Sequence, residues 1–445
     1  MSRTLLERLR GSGSGAALAR GSLGSFTVKA VGLVIALLPQ LLLARMMGAS
    51  GYGIYTVALN WVWVLLVLAK FGQDTTRVRF LAAYRVAGDW SSFRGLLRWS
   101  SRTVLAVSLT AGLGMALTVL ILGGRVSAEL RAALLAGCLL LPVLALVSLN
   151  AAALQSLRKV VAAETPRLLN HVFLALLALS ALLLPGFVFS GARVMLLTVL
   201  ANLGALAVGW AILHRGIPAG GHLATPAYRT RLWLGVGLGM LAVSGQFMIL
   251  NRVDILMLKF FVPAADVGVY GIAVRLAALV PFGLDAVSMI AAPMVSELWA
   301  AKRKDELRRV VHLAVSWSAL ISFGIFIVLA VGGRMLLGMF GPEFPGGYVP
   351  LVILGAGQLF NALTGPSGLL LTMTGRERQL AGLLSLALLL NAALNWVLIP
   401  IWGVVGAAVA TACVTVLWNA VAVVIIRLQL GIFCVVGLSG LRPKD

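Results

Sequence analysis

Between Leu380 and Ile426 the chain runs for 47 residues without a single Asp, Glu, Lys or Arg. As one straight helix that stretch would be about 70 Å long at 1.5 Å per residue, roughly twice the hydrocarbon thickness of a bilayer. Two spanning helices joined by a turn satisfy both lengths. Pro400-Ile401-Trp402-Gly403 supplies the turn, because proline removes a helix donor and glycine permits a tight reversal. The rest of the chain follows the same rule. Cut at charges and Gly/Pro turns, it yields twelve apolar pieces of spanning length, centred near Ile35, Val62, Leu113, Val143, Leu176, Ala201, Leu241, Val280, Ser322, Gln358, Leu389 and Thr415.

With 60% hydrophobic and 11% charged residues, the chain is an all-α integral membrane protein. A net charge of +22 on a soluble face would suggest nucleic acid, but here the cations fall in short clusters between apolar stretches. Twenty-seven of the 36 Lys and Arg lie in the segments assigned to the cytoplasmic side when the N-terminus is placed there, and six near the opposite ends. The positive-inside rule then places both termini in the cytoplasm of a bacterial cell, with the chain multi-pass in its inner membrane. The leader carrying Arg3, Arg8, Arg10 and Arg20 precedes an apolar stretch, Leu23 to Met47, too long for a signal-peptide core, so that stretch reads as the first span.

The expected layout is a cytoplasmic arm (1–22), an N-terminal six-helix lobe (23–215), a cytoplasmic linker (216–231), a C-terminal six-helix lobe (232–428) and a tail (429–445). Gly51-Tyr52-Gly53-Ile54-Tyr55 and Asp266-Val267-Gly268-Val269-Tyr270 align at an offset of 215, each opening an even-numbered helix. Six spans return the chain to its starting side, so the two lobes read as parallel repeats.

No phosphate-binding loop, nucleophile elbow or zinc-protease motif is present, and His171, His214, His222 and His312 are scattered, which argues against an enzyme and against a metal site. Cys138, Cys413 and Cys434 sit in apolar stretches and read as packing residues. Six of the 11 Trp, at positions 90, 99, 210, 233, 299 and 402, fall at span ends and read as an aromatic belt. The informative residues are charges at membrane depth, which cost at least about 2.5–3.5 kcal/mol each. Arg252, Asp254, Arg275 and Asp285 cluster on helices seven and eight, and Arg275 is a natural partner for Asp254. Lys29 and Arg45 lie near the two ends of helix one. Asp254 and Asp285 are candidates for ion coupling or ion pairing. Gln40, Asn60, Gln246, Asn251, Gln358 and Asn361, with Asn391 and Asn395, are polar beyond what lipid contact allows, and either a cavity or interhelical hydrogen bonds account for them.

Leu43-Ala44-Arg45-Met46-Met47-Gly48, the Gly51 to Tyr55 segment, Phe71-Gly72-Gln73-Asp74, Arg79 to Tyr84, Val253 to Leu258 and Val267 to Leu276 together resemble the polysaccharide transporter (Wzx-like) oligosaccharide flippases of the multidrug/oligosaccharidyl-lipid/polysaccharide exporter superfamily. The resemblance implies a V-shaped molecule of two six-helix lobes that alternates between inward- and outward-open states. It also implies a polyprenyl-diphosphate-linked oligosaccharide as substrate, moved for surface polysaccharide synthesis, with the pathway's polymerase and glycosyltransferases as possible partners. Arg275 best matches the family's basic position on helix eight, with Lys29, Arg252 and Arg45 as further cavity cations for the diphosphate. No cofactor is implied beyond possible Na+ or H+ coupling. Two related readings stay open, a multidrug/cation antiporter and a lipid II-type flippase. Against the first, no acid sits inside a span of the N-terminal lobe; against the second, there are twelve spans rather than fourteen.

Overall fold

The computed structural model describes the backbone of residues 14–157, 159–218, 223–432 and 434, and side chains from Ile35 onward except those of residues 158, 160, 242–244 and 293. The regular elements among these residues are helical throughout. In chain order they are α1 (Ser14–Lys70), α2 (Gln73–Ala87), α3 (Trp90–Leu122), α4 (Ala128–Ser156), α5 (Val160–Leu182), α6 (Gly191–Gly216) and α7 (Thr230–Leu250). There follow α8 (Val253–Phe261), α9 (Ala264–Ala277), α10 (Phe282–Ala300), α11 (Lys304–Gly338), α12 (Tyr348–Leu363), α13 (Ser367–Met373) and α14 (Glu377–Leu430).

Nine of the described helices are long and apolar enough to cross a bilayer, and α9 with α10, bent by 44°, makes a tenth. The two longest each contain one residue that cannot be helical. Gly48 has φ 65° and ψ 179° inside α1, and Gly403 has φ 55° and ψ −130° inside α14. Positive φ costs a glycine nothing and a side-chain-bearing residue strain. Each long helix is therefore a hairpin of two spans, which brings the total to the expected twelve. The turn read at Pro400 to Gly403 breaks at Gly403 itself.

Two expected spans are interrupted. The helix read around Leu241 stops at Asn251 and restarts at Val253, so Arg252 and Asp254 flank a break and do not share a helix. The helix read around Val280 breaks between Ala277 and Phe282 beside Pro281.

The chain separates into two compact units, one of Thr27–Arg252 and one holding Val253 onward. The first takes in α7, which the six-plus-six reading assigns to the C-terminal lobe. α7 is tied there by Trp233, completely buried among Leu81, Tyr84, Phe93, Leu96 and Leu154. Its indole N–H donates to Tyr84 Oη at 3.0 Å and its ring meets Trp99 at 5.5 Å. Trp233 is thus a core residue and not part of an aromatic belt. Ahead of α7, Ala224 O accepts from Arg94 at 2.7 Å, Ala227 N donates to Ser91 O at 3.0 Å, and Arg229 pairs with Asp89 at 3.4 Å. Asp89 also caps α3 by accepting from Ser92 N at 3.0 Å. That bond, with Arg229 adding, holds its carboxyl below the usual carboxylate range. In the second unit α10 packs along α11 and α12 along α14, where Gly357 lets the backbones meet at Ala412.

Candidate functional site

Among the described residues, each unit holds one charged side chain that is 2% exposed or less. In the first it is Arg77 of α2, 1% exposed. Its Nε donates to Ser100 Oγ at 2.7 Å, Nη1 to Leu149 O at 3.0 Å, and Nη2 to Leu97 O at 2.9 Å and Ser101 Oγ at 2.6 Å. The guanidinium therefore fastens α2 to α3 and α4. Its rigid fork of donors suits several carbonyls and hydroxyls at once. In the sequence Arg77 is one of seven cations between Lys70 and Arg102, and it reads there as a cytoplasmic charge. The neighbouring ion pair is Lys70 with Asp74, at 2.7 Å.

In the second unit the buried charge is Asp254 of α8, 2% exposed. Its Oδ2 accepts from Tyr270 Oη at 2.7 Å and from Thr411 Oγ1 at 3.2 Å, and its Oδ1 accepts from Ile255 N at 2.7 Å. These groups, not Arg275, are its partners. Arg275 lies five residues beyond Tyr270 on α9, about 140° around the helix and more than a turn further along it. The polar chain continues from Thr411 to Asn391 Nδ2 at 3.4 Å, and Asn395 Nδ2 donates to Asn391 Oδ1 at 2.9 Å. Asn395 Oδ1 is buried and accepts no hydrogen bond among the described residues. A carboxylate, two amide oxygens and two hydroxyls from α8, α9 and the two halves of α14 thus gather in one apolar interior. Oxygen donors of this kind suit a proton or a hard monovalent cation.

The polar residues of the first unit form a second row. Tyr52 Oη donates to Gln40 Oε1 at 2.8 Å across the Gly48 break, and the Tyr55 and Thr198 hydroxyls meet at 3.2 Å. Asn60 lies midway along the helix from Ala49 to Lys70. It donates to Thr56 O at 2.8 Å and accepts from Arg252 Nη1 at 2.9 Å. Arg252 is half-buried, and its guanidinium lies over the Trp63 ring at 4.8 Å. The cation is therefore fixed near the middle of a span, at the end of α7.

The remaining expected site residues are dispersed. Arg275 is half-buried in the last turn of α9, and Asp285 is exposed in the first turn of α10. Arg45 is exposed near the end of the first half of α1, and Gln246 is half-buried on α7. Asn251 is exposed and donates to Phe247 O at 2.7 Å. Asn361 donates to Gln358 at 3.4 Å on α12. The Lys29 side chain lies outside the described residues. The pair of repeat tyrosines foreshadowed both polar centres: Tyr55 bonds Thr198 of α6, and Tyr270 bonds Asp254, which Thr411 of α14 also reaches.

The known proteins to which this chain is similar agree with this architecture. A family model described as polysaccharide biosynthesis protein matches residues 18–299, and the MatE family model matches residues 236–397. A probable low-salt glycan biosynthesis flippase, Agl15 of Haloferax volcanii, is 27% identical over 172 residues. That match spans 38% of this chain and only 36% of the relative. Among solved structures, an inward-facing multidrug resistance MATE family transporter superposes with a TM-score of 0.74 at 12% identity, over 90% of this chain and 94% of its own. The lipid II flippase MurJ in an inward closed conformation gives 0.71 at 13% identity, over 91% and 87%. With its family model covering well over half of its length, the chain belongs to the polysaccharide biosynthesis protein family, as a multi-pass membrane protein that shares the fold of these solved transporters.

Proposed function

We propose that this protein moves a polyprenyl-diphosphate-linked oligosaccharide from the cytoplasmic to the outer leaflet of the inner membrane by alternating access, for the synthesis of a cell-surface polysaccharide. The observation that carries the reading is Arg252. A guanidinium held at mid-span by Asn60 and Trp63 is costly in lipid. A diphosphate entering a low-dielectric interior is the kind of ligand that repays such a cation with charge-assisted hydrogen bonds. Arg275, half-buried in α9, is the second candidate for the diphosphate, with Lys29 and Arg45 as further ones. The family match and the glycan flippase relative support the substrate class. The pathway's polymerase and glycosyltransferases are proposed as partners.

The test substitutes Arg252 and Arg275 separately. Arg252→Ala and Arg275→Ala should each let lipid-linked oligosaccharide accumulate on the cytoplasmic side while protein abundance in the membrane holds. Each Lys variant should retain part of the activity, because charge survives and the bidentate fork does not. Normal flipping by well-expressed alanine variants would end the substrate role of both residues.

A second reading has its own support. The MatE model covers Asp254, and a buried acid is what a cation-coupled exporter needs. Under that reading, cells lacking the protein would gain drug sensitivity and show no build-up of lipid-linked sugar.

A further inference from the structure

At one end of the second unit, the C-terminus of α10, the start of α11, the turn between α13 and α14, and the end of α14 come together around Trp299. Arg376 lies over the Trp299 ring at 5.6 Å, donates from Nε to Gln429 Oε1 at 2.7 Å, and from Nη1 to Thr374 O at 3.3 Å. Lys302 closes the turn after α10, its N–H donating to Trp299 O at 3.1 Å while Arg303 N donates to Leu298 O at 3.0 Å. Arg308 reaches the helix-ending Gly431 of α14. The stretches Glu297–Arg309 and Arg376–Arg378, with Arg427, carry eight Lys and Arg against four Asp and Glu.

Three features make this end more than a solvated surface. First, Lys302 adopts φ +57°, a left-handed conformation that favours glycine there. A lysine stands where a glycine would adopt the turn without strain, and it begins the run Lys302-Arg303-Lys304. Second, Arg303 pairs with Glu306 and Arg308 with Asp305, whereas Arg376 meets an aromatic ring, an amide and a carbonyl but no carboxylate among the described residues. A fixed cation without an acid is poised for an external anion. Third, the apolar surface begins at once: Ile290, Met294, Leu313, Trp317 and Leu428 are all exposed. A ligand that fits both must be anionic at its head and apolar behind it.

We propose that this end of the second unit is a binding site for an anionic phospholipid, its phosphate held by Arg376 and the Lys302–Lys304 turn and its chains lying along α10 and α11. Clusters of cations beside a span attract such headgroups with about 1 kcal/mol per charge. Removing two of them should weaken binding by roughly thirtyfold. The site is independent of the transport substrate.

The experiment titrates phosphatidylglycerol into the full-length protein in phosphatidylcholine nanodiscs and follows bound lipid by native mass spectrometry. Lys302→Gly/Arg376→Gln should lose most of the bound phosphatidylglycerol. Its melting temperature in pure phosphatidylcholine should hold, because Lys302→Gly relieves the left-handed turn. Arg334→Gln, a cation stacked on Tyr348 in α11, should bind as the unaltered protein does. Undiminished binding by the double variant overturns the proposal, as does an equal loss in Arg334→Gln. Displacement of the lipid by an equal concentration of soluble glycerol phosphate also overturns it, since the site would then recognise phosphate alone.

Discussion

The two units solve opposite electrostatic problems. The first buries a cation and the second an anion, and among the described residues the hydrogen-bond partners of each are uncharged. Arg77 spreads its charge over two carbonyls and two hydroxyls on two neighbouring helices. Asp254 is met by two hydroxyls and one backbone N–H. The difference lies in what each set of partners allows. An arginine stays charged under any physiological condition, so a guanidinium surrounded by fixed carbonyls is a clamp. A carboxylate can take up a proton or accept a cation. One met by hydroxyls, which rotate, and joined through Thr411 and Asn391 to an Asn395 amide oxygen that accepts no hydrogen bond among the described residues, is a group whose occupancy can change. Burial alone therefore does not separate a structural charge from a functional one; the nature of the partners does.

The sharpest way to break this contrast is at Arg77. Arg77→Ala removes four hydrogen bonds and a large side chain from a buried site between α2, α3 and α4, and should cost about 3–5 kcal/mol. The expected result is loss of folded protein from the membrane, read as abundance and detergent-resistant monodispersity. A well-folded Arg77→Ala protein would mean that the clamp is dispensable.

Asp254→Asn should act the other way round. It keeps the volume and most of the hydrogen bonds, so abundance should change little, while transport in proteoliposomes should lose its response to an imposed Na+ or pH gradient. If abundance falls as far as in Arg77→Ala, both buried charges are structural and the contrast fails. Comparing the two gradients separately identifies the coupling ion.

The smallest effect concerns Asp89, whose cap on α3 has no side-chain equivalent at the start of α11, where Arg303 occupies that place. Because its folded carboxyl titrates below the usual range, its contribution is fully present above the unfolded value of about 3.9 and is lost as pH falls through the lower folded value. Asp89→Asn should keep the cap and flatten the acid limb of a thermal-melt series, and an unchanged limb would show that Asp89 plays no part in it.

Much of this was legible in the residues and some was not. The spans, the Gly403 turn and the paired tyrosines follow from hydropathy, from the glycine requirement at positive φ and from repetition. Asp254 stood out because acids are expensive in lipid. Its partners did not, because charge complementarity pointed to Arg275, whereas the break at Asn251–Arg252 sets α8 on its own axis, where Asp254 meets Tyr270 and Thr411. Asn391 and Asn395, four residues apart in an otherwise apolar run, were the available sign that α14 carries a polar centre. Arg77 had no such sign. Among seven nearby cations nothing local distinguishes the one whose helix folds back onto neighbouring carbonyls, and that information exists only in the packing of α2 against α3 and α4.

The break at Gly403 also bears on how the chain enters the membrane. No charged residue lies between Leu380 and Ile426, so no charge lies in the turn to retain it on one side during synthesis. The cations that can orient this segment are Arg376, Arg378 and Arg427, which flank it, and both flanks end on the same side when the hairpin forms. The last two spans should then be inserted together as one preformed unit, with their topology inherited from the flanks. Introducing an arginine at the turn would set that inheritance against itself, and the segment would be the first part of the molecule to be misassembled.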